Sequence, residues 1–374
     1  MLVSMSDIAV IGAGLVGCAV AYHCALAGAE VTLIEAVRPG SGTSGTTFSW
    51  LNANNKTPRE YFDLNLAGMR EHLALRETLG GAPWLHDGGN LEWAEDPTDQ
   101  TLLSDKVDRL RSWGYAVELL SPRRARDMEP DLRIDDNTIK QVAYYPEDRW
   151  LDPLLLIHAL LRQGERHGLR LHRGRVNRID LMAGRAVAAV TEAGERFAAD
   201  VVVDCAGRVA NEIAALVGFS LPLANTAGLL ALTAPAPTGL SRIVHAPGVN
   251  IRPDGTGRLL VHSDDTDALV DSATVPSLGL PGCVELLRRA GQVIPDLAGV
   301  PLEAARIGVR PIPADGLSAV GPIPGIDGAY LAVTHSGATL CLALGRMVAM
   351  EIVSGRPVEA LSLFRPSRFL STTP

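Results

Sequence analysis

The run Gly12-Ala13-Gly14-Leu15-Val16-Gly17 lies between an apolar stretch that begins at Ile8 and an alanine-rich stretch that closes at Gly28. Glycines at this spacing suit a dinucleotide. Gly12 allows a tight turn, Gly14 lets a pyrophosphate approach the backbone, and Gly17 lets a helix pack closely on a sheet. The start of that helix sets Ala13, Leu15 and Val16 beside the phosphates, with free N–H groups and a partial positive charge. Glu35 comes 18 residues after Gly17 and ends a second apolar run that starts at Glu30. That is near the usual interval of about 20, so Glu35, followed by Ala36, is placed to accept hydrogen bonds from ribose hydroxyls. An acid there disfavours a 2′-phosphate, but it does not separate NAD from FAD. The next segment, Arg38-Pro39-Gly40-Ser41-Gly42-Thr43-Ser44-Gly45-Thr46-Thr47, is small, polar and rich in hydroxyls. Thr43, Ser44, Thr46 and Thr47 could lie along a flavin or its pyrophosphate. The same composition also reads as a plain flexible loop.

Composition narrows the classes. The chain has 374 residues, of which 47% are hydrophobic and 20% charged, with a net charge of −8. That is enough apolar material for one large domain or two modest ones, and it argues against a general binder of nucleic-acid backbones. Only three lysines occur, Lys56, Lys106 and Lys140. The five cysteines, Cys18, Cys24, Cys205, Cys283 and Cys341, include no C-x-x-C pair. Neither a disulfide framework nor a cysteine metal site is expected. The nine histidines contain no H-E-x-x-H, and no metal site is expected. No Lys or Arg precedes Arg38, so no signal-peptide pattern is visible. No apolar run approaches the roughly 20 residues of a membrane span. The expectation is a cytoplasmic protein without a membrane span or a nucleic-acid partner.

The elements that must position these residues follow from pattern. A strand over 8–11 leads through the glycine turn into a helix to about Ala27, then a strand over 30–34. Asp152-Pro153 reads as an N-cap with proline at the first helical position, opening a helix to about His167. A strand is expected over 169–176, and another over 200–207 that ends in Ala206-Gly207, with a helix from about Val209. Segments 59–80 and 99–114 read as amphipathic helices, and 234–239 and 276–282 as loops. Alternation in the strand before Pro253-Asp254-Gly255 puts Asn250 and Arg252 on one face. The Arg252 guanidinium then either faces a ligand or caps a solvated strand end. The stretch Trp50-Leu51-Asn52-Ala53-Asn54-Asn55-Lys56 is rich in amides, and reads either as the wall of a polar pocket or as a series of asparagine turns.

Four blocks together resemble the D-amino-acid oxidase superfamily of FAD-dependent oxidoreductases, in the branch with glycine oxidase, sarcosine oxidase and the flavin subunits of proline and opine dehydrogenases. The first is the glycine turn with Glu35 and 43–47. The second is Tyr145-Pro146-Glu147-Asp148-Arg149-Trp150-Leu151-Asp152-Pro153. The third is Asp200-Val201-Val202-Val203-Asp204-Cys205-Ala206-Gly207, where relatives continue with Ala-Trp and this chain has Arg208-Val209. The fourth is Arg306-Ile307-Gly308-Val309-Arg310-Pro311-Ile312-Pro313-Ala314-Asp315-Gly316, followed by Thr334-His335-Ser336-Gly337-Ala338-Thr339-Leu340.

The resemblance implies an α/β chain, α+β overall, in which a Rossmann-like FAD-binding domain (1–50, 151–220 and 305–374) is interleaved with a substrate domain built on an antiparallel sheet (51–150 and 221–304). It implies non-covalent FAD, because Gly45 and Gly308 stand where relatives carry an attaching His or Cys. It implies that Val176 contacts adenine, that Ala206 and Gly207 lie near the phosphate and ribose, and that Gly337, Ala338, Thr339 and Leu340 adjoin the isoalloxazine ring. The implied reaction is oxidation of a C–N bond in an amino acid or secondary amine, with hydride transfer to flavin N5 and then imine hydrolysis. Arg310 is the expected carboxylate anchor, and His335 matches a histidine that is structural in many relatives. His262 ends a return strand where relatives have glycine, and points either at the flavin or at solvent. Asn52 stands where some relatives have a carboxylate-binding Arg, and the strand 258–261 lacks their oxygen-activating Lys. Two other readings remain: a 2-hydroxy-acid oxidoreductase of the same fold, or a flavin subunit that passes electrons to a partner subunit. A homo-oligomer fits either.

Overall fold

A computed structural model describes residues 6–370; the outermost ends of the two expected terminal segments, 1–5 and 371–374, lie outside it. Strand β1 (Asp7–Ile11) passes through the glycine turn into α1 (Leu15–Leu26) and returns as β2 (Glu30–Glu35). Then follow α2 (Arg59–Thr78), β3 (Asn90–Glu92), α3 (Pro97–Ser112), β4 (Glu118–Leu120), β5 (Val142–Tyr145), α4 (Pro153–Glu165), β6 (Arg170–Arg173) and β7 (Val201–Asp204). The second half contains β8 (Leu223–Thr233), β9 (Ile243–Ala246), β10 (Val249–Pro253), β11 (Leu259–His262), α5 (Pro281–Val293), β12 (Leu302–Pro313), β13 (Ala319–Pro322), β14 (Ala329–Val333) and α6 (Gly337–Ser354).

Two sheets dominate. The first runs β13-β14-β7-β1-β2-β6, and all of its pairs are parallel except β13 with β14. Its central strands are apolar on both faces because both are covered. Helices α1, α4 and α6 pack on one side around Val10, Leu33 and Leu344, while Ile34, Val202 and Leu331 belong to the core on the other. The second sheet runs β12-β8-β11-β10-β9-β3-β5-β4 and is antiparallel except where β3 lies beside β9. Helix α5 covers one of its faces through Cys283, Leu286 and Ala290. The two long strands β8 and β12 pair from Leu223↔Pro313 to Thr233↔Leu302. This mixed α/β architecture agrees with the sequence reading.

Local differences have physical causes. The expected strand over 169–176 is split. After β6 the chain turns at Gly174, and Val176 opens a strand (Val176–Met182) of a separate three-stranded sheet. The expected boundaries at 150/151 and 304/305 both fall inside paired strands, Arg149–Leu151 and β12. Asp152 does precede Pro153 at the start of α4, but its carboxylate makes no capping bond. It accepts from His86 Nε2 at 3.0 Å instead. By length and composition α6 could cross a membrane. Here it is a core helix packed on α1 and α2, so close that a Cβ on Gly345 would stand 2.7 Å from the Ala19 carbonyl oxygen.

Candidate active site

Five parallel strands, β14, β7, β1, β2 and β6, end along one edge of the first sheet. At a spacing of about 4.8 Å that edge spans about 19 Å. A cleft of about 560 Å³ follows it, lined by the residues that leave these strands: Thr334, Cys205, Ile11, Glu35 and Gly174. Parallel sheets place their ligands at this carboxyl edge. The glycine turn is built as its spacing implies. Gly12 has φ +98°, and a Cβ there would meet the Cys205 carbonyl oxygen at 2.6 Å. A Cβ on Gly17 would stand 1.8 Å from the Gly12 carbonyl oxygen. Glu35 accepts from the backbone N–H of Ala13 at 2.9 Å and of Val37 at 2.8 Å, so its carboxylate is already oriented at the rim.

The hydroxyl-rich segment closes over this turn. Ser44 Oγ accepts the Leu15 N–H at 3.0 Å, and Gly40 N–H donates to the Ala13 carbonyl at 2.9 Å. Thr43 Oγ1 donates to the Val309 carbonyl, which ties the segment to β12. A Cβ on Gly308 would stand 2.4 Å from the Thr46 carbonyl oxygen, so this close approach requires glycine.

Of the expected cofactor contacts, Gly12, Gly14, Leu15, Val16, Glu35, Ala36, Thr43, Ser44, Thr47, Val176, Ala206, Gly207, Gly337 and Ala338 line the cleft. Ala13, Gly17, Thr46 and Leu340 do not. The first three shape the turn and its cover, and Leu340 is buried in the core behind α6. Thr339 borders a neighbouring cavity instead.

That second cavity, of about 400 Å³, shares Thr47, His335 and Ala338 with the first. It lies over the second sheet. Asn250 on β10 is paired directly with His262 on β11, and both line it, as does Arg310 from β12. His262 Nε2 is 3.2 Å from Asp267 Oδ2, and Asn250 Nδ2 is 3.4 Å from His262 Nδ1. Arg310 Nη2 donates to the same Asp267 Oδ2 at 2.5 Å and to the Ala227 carbonyl at 3.2 Å. Burial alone would raise the Asp267 pKa, but His262, the Leu229 N–H and Arg310 outweigh it and hold the carboxyl below its usual range. Half of the Arg310 fork is thus fixed, while among the described residues the carboxylate nearest Nη1 besides that of Asp267 is Asp264, at 4.0 Å. His262, Asp264 and Asp267 have metal-ligand atoms close together. The Arg310 cation already occupies Asp267, and the arrangement is that of an ion-pair network.

His335 stands where the two cavities meet. Burial, and then the charges of Lys56 and Arg310, lower its pKa to about 4, so the ring is neutral at pH 7. Its Nδ1 is 3.5 Å from Tyr61 Oη, which also bonds Ser336 Oγ at 2.9 Å. The chain then enters α6, whose first N–H groups have no partners within the helix. Gly337 and Ala338 present this end to the first cleft, and Ala338 and Thr339 to the second. Asn52 is buried in the wall of the second cavity, and its Oδ1 has no hydrogen-bond partner among the described residues.

Arg252 departs from expectation. It does share a face with Asn250, but it does not line the cavity. Phe48 and Trp150 cover it: the guanidinium is 4.6 Å from the Trp150 ring centroid and donates to the Phe48 carbonyl at 2.5 Å. Asp254 Oδ1 accepts from its Nη1 at 2.9 Å. Arg252 supports the floor of the site. The asparagine stretch divides between its two readings. Trp50, Asn52, Asn55 and Lys56 reach the cavity, whereas Asn54 Nδ2 turns away to Asp148 at 2.9 Å.

Among the wall residues that sequence reasoning missed are Glu92, Trp93 and His245. Glu92 and His245 come from β3 and β9, and Trp93 follows β3; strand pairing brings them together. Burial drives the His245 pKa down to about 3. Its ring packs 4.1 Å from Trp50, and Nδ1 is 2.7 Å from Asn90 Oδ1. No local motif marks them; only the pairing of β3 with β9 does.

The model of the family described as FAD dependent oxidoreductase (DAO) matches residues 7–350. A glycine oxidase of Geobacillus kaustophilus is 27% identical over 92% of this chain and 92% of its own length. The crystal structure of glycine oxidase from that species superposes with a TM-score of 0.87 at 26% identity, covering 97% of this chain and 99% of the other. One subunit of the opine oxidase of Agrobacterium tumefaciens is 25% identical over 97% of both chains.

Proposed function

Since the chain belongs to the DAO family of FAD-dependent oxidoreductases, we propose that it oxidises the C–N bond of an amino acid or secondary amine. The observation that carries this reading is the junction at His335 and Ala338. There a cavity bearing the Arg310 fork opens directly onto the edge of the dinucleotide cleft.

The residues of the first cleft fit FAD. The glycine turn admits a pyrophosphate, Glu35 stands at the rim to receive ribose hydroxyls, and the 40–47 segment and the start of α6 offer N–H and O–H donors beyond it. Bound there, FAD supplies the acceptor for a hydride from the substrate α-carbon. The protein's work is placement. Arg310 Nη1 takes a carboxylate oxygen while Asp267 fixes Nη2. His335 is neutral and adds no charge beside the reacting amine. The N-terminal end of α6 favours negative charge at the junction. As the C–H hydride leaves, the amine proton passes to water and a C=N bond forms. Water then adds to the imine, releasing a 2-oxo acid together with ammonia from a primary amino acid or the shorter amine from a secondary one.

FAD is held without a covalent bond in this reading. Gly45 and Gly308 offer no attaching side chain, and a Cβ at Gly45 would meet the Gly40 carbonyl oxygen at 2.5 Å. All five cysteines are buried. Burial raises the Cys341 thiol to about 12, which leaves it without nucleophilic thiolate. Acid precipitation should release all of the yellow colour into the supernatant.

The likeness to one subunit of an opine oxidase favours one further arrangement, in which the chain passes its electrons to a partner protein. The test of the main reading is anaerobic. The yellow protein is mixed with amino acids, N-methyl amines, cyclic imino acids and 2-hydroxy acids, and flavin absorbance is followed. Bleaching by an amine class supports it, and bleaching by hydroxy acids alone would sink it. Reoxidation by air separates an oxidase from a chain that needs its partner.

A further inference from the structure

A lysine and an arginine border the second cavity, and they stand in different electrostatic situations. Arg310 is partly neutralised by Asp267. Lys56, in the turn after Trp50–Leu51, is not: among the described residues its ammonium has no carboxylate within 4.0 Å, and it stands 5.8 Å from the centroid of the Tyr61 ring. The acids along the same wall are committed elsewhere. Glu92 is bound by Lys106 at 2.7 Å and by Tyr145 Oη at 2.8 Å. The Asp264 side chain is 87% exposed at the rim and lies nearest His262 and Arg310.

A partly buried cation without a partner carries a desolvation cost that only a counter-ion removes. That cost lowers the Lys56 pKa to about 8, which still leaves the group charged at pH 7. Lys56, Arg310 and His335 line the same cavity, and His335 lines the dinucleotide cleft as well. The cavity volume of about 400 Å³ falls within the range of about 300–1,000 Å³ usual for small-molecule sites.

We propose that the cavity takes an amine carrying two carboxylates, one on the Arg310 fork and the other on the Lys56 ammonium. The assignment rests on the amine-oxidising reading above, but its charge pattern can be tested without turnover. Thiodiglycolate carries two carboxylates about a sulfur and has no C–N bond to oxidise; (methylthio)acetate, with a methyl group in place of one carboxymethyl arm, carries one. Dissociation constants for both come from the perturbation of flavin absorbance in the holoenzyme. Thiodiglycolate should bind at least ~10-fold tighter. That ratio should fall close to one in Lys56→Met and return in Lys56→Arg. Equal affinities in the native protein, or a ratio that survives Lys56→Met, would overturn the assignment.

Turnover then separates the two readings. Iminodiacetate should bleach the flavin with a higher kcat/KM than N-methylglycine, in the same Lys56-dependent way. If N-methylglycine bleaches it and iminodiacetate does not, the two-carboxylate assignment fails and amine oxidation stands. If the probe ratio holds while no amine bleaches the flavin, amine oxidation fails and the paired anion sites stand.

Discussion

The two cavities meet at three residues but are built by different means. The first is made of backbone: glycines that nothing else can replace, carbonyls and N–H groups at strand ends, and one carboxylate held by two of those N–H groups. The second is made of side chains from separate segments: Asn52 and Lys56 from one loop, Asn250 and His262 from paired strands, Arg310 from β12 and His335 from the end of β14. A backbone site tolerates almost no change at its glycines and is the same for any substrate. A side-chain site can change its preference one residue at a time. Substitutions in the first cavity should therefore act on cofactor retention, and those in the second on substrate kinetics.

The sharpest break is expected at Gly17→Ala. Its new Cβ, fixed in direction by its own Cα, would lie 1.8 Å from the Gly12 carbonyl oxygen, a backbone atom that cannot swing aside. Overpacking of this kind costs about 1–3 kcal/mol even when the surroundings relax, and here the relaxation must open the phosphate turn itself. The variant should purify colourless, with a circular-dichroism spectrum close to native. A yellow Gly17→Ala protein with unchanged flavin affinity would show that the turn does not hold the cofactor.

Arg310→Ala comes next and should leave the colour intact. A charge-assisted hydrogen bond to a carboxylate contributes about 1.5–3 kcal/mol, so kcat/KM should fall about 10- to 150-fold, mostly through KM. Titration with substrates that lack a carboxylate should show little difference from native. An equal loss for both substrate types would make Arg310 a structural ion pair with Asp267 and nothing more.

The same contrast explains what could be read from the sequence. The glycine turn, Glu35 and the Ala206-Gly207 strand end were legible because each backbone demand names a residue type at a fixed offset. Arg252 was placed on the correct face, since alternation is a local property. What alternation could not show is that Phe48, from a loop, and Trp150, from the strand Arg149–Leu151, both distant in sequence, cover that position. Glu92, Trp93 and His245 stayed hidden for a related reason, because they join the wall only through the pairing of β3 with β9. The boundary expected at 304/305 falls inside β12, which continues its ladder with β8 to Pro313 while carrying Arg310 to the junction. Composition does not change where one sheet hands the chain to the other.

The smallest effect, and the finest test of the side-chain cavity, is expected from Asp267→Asn. Asp267 accepts the Leu229 N–H at 2.7 Å through Oδ1, which an Asn can still do. Its Oδ2 accepts from both Arg310 and His262, and an amide NH₂ in that place cannot. Two consequences oppose each other. Arg310 loses its counter-charge and should attract a substrate carboxylate more strongly, which lowers KM. It also loses the contact that fixes its orientation, which lowers kcat. Each change is worth about 1 kcal/mol for a single hydrogen bond, so kcat/KM should move by no more than about fivefold while the two constants fall together. A residue that merely stabilised the fold would instead reduce the amount of flavin-loaded protein and leave both constants of the remainder unchanged. The split between kcat and KM, not the size of the loss, identifies Asp267 as the residue that positions Arg310.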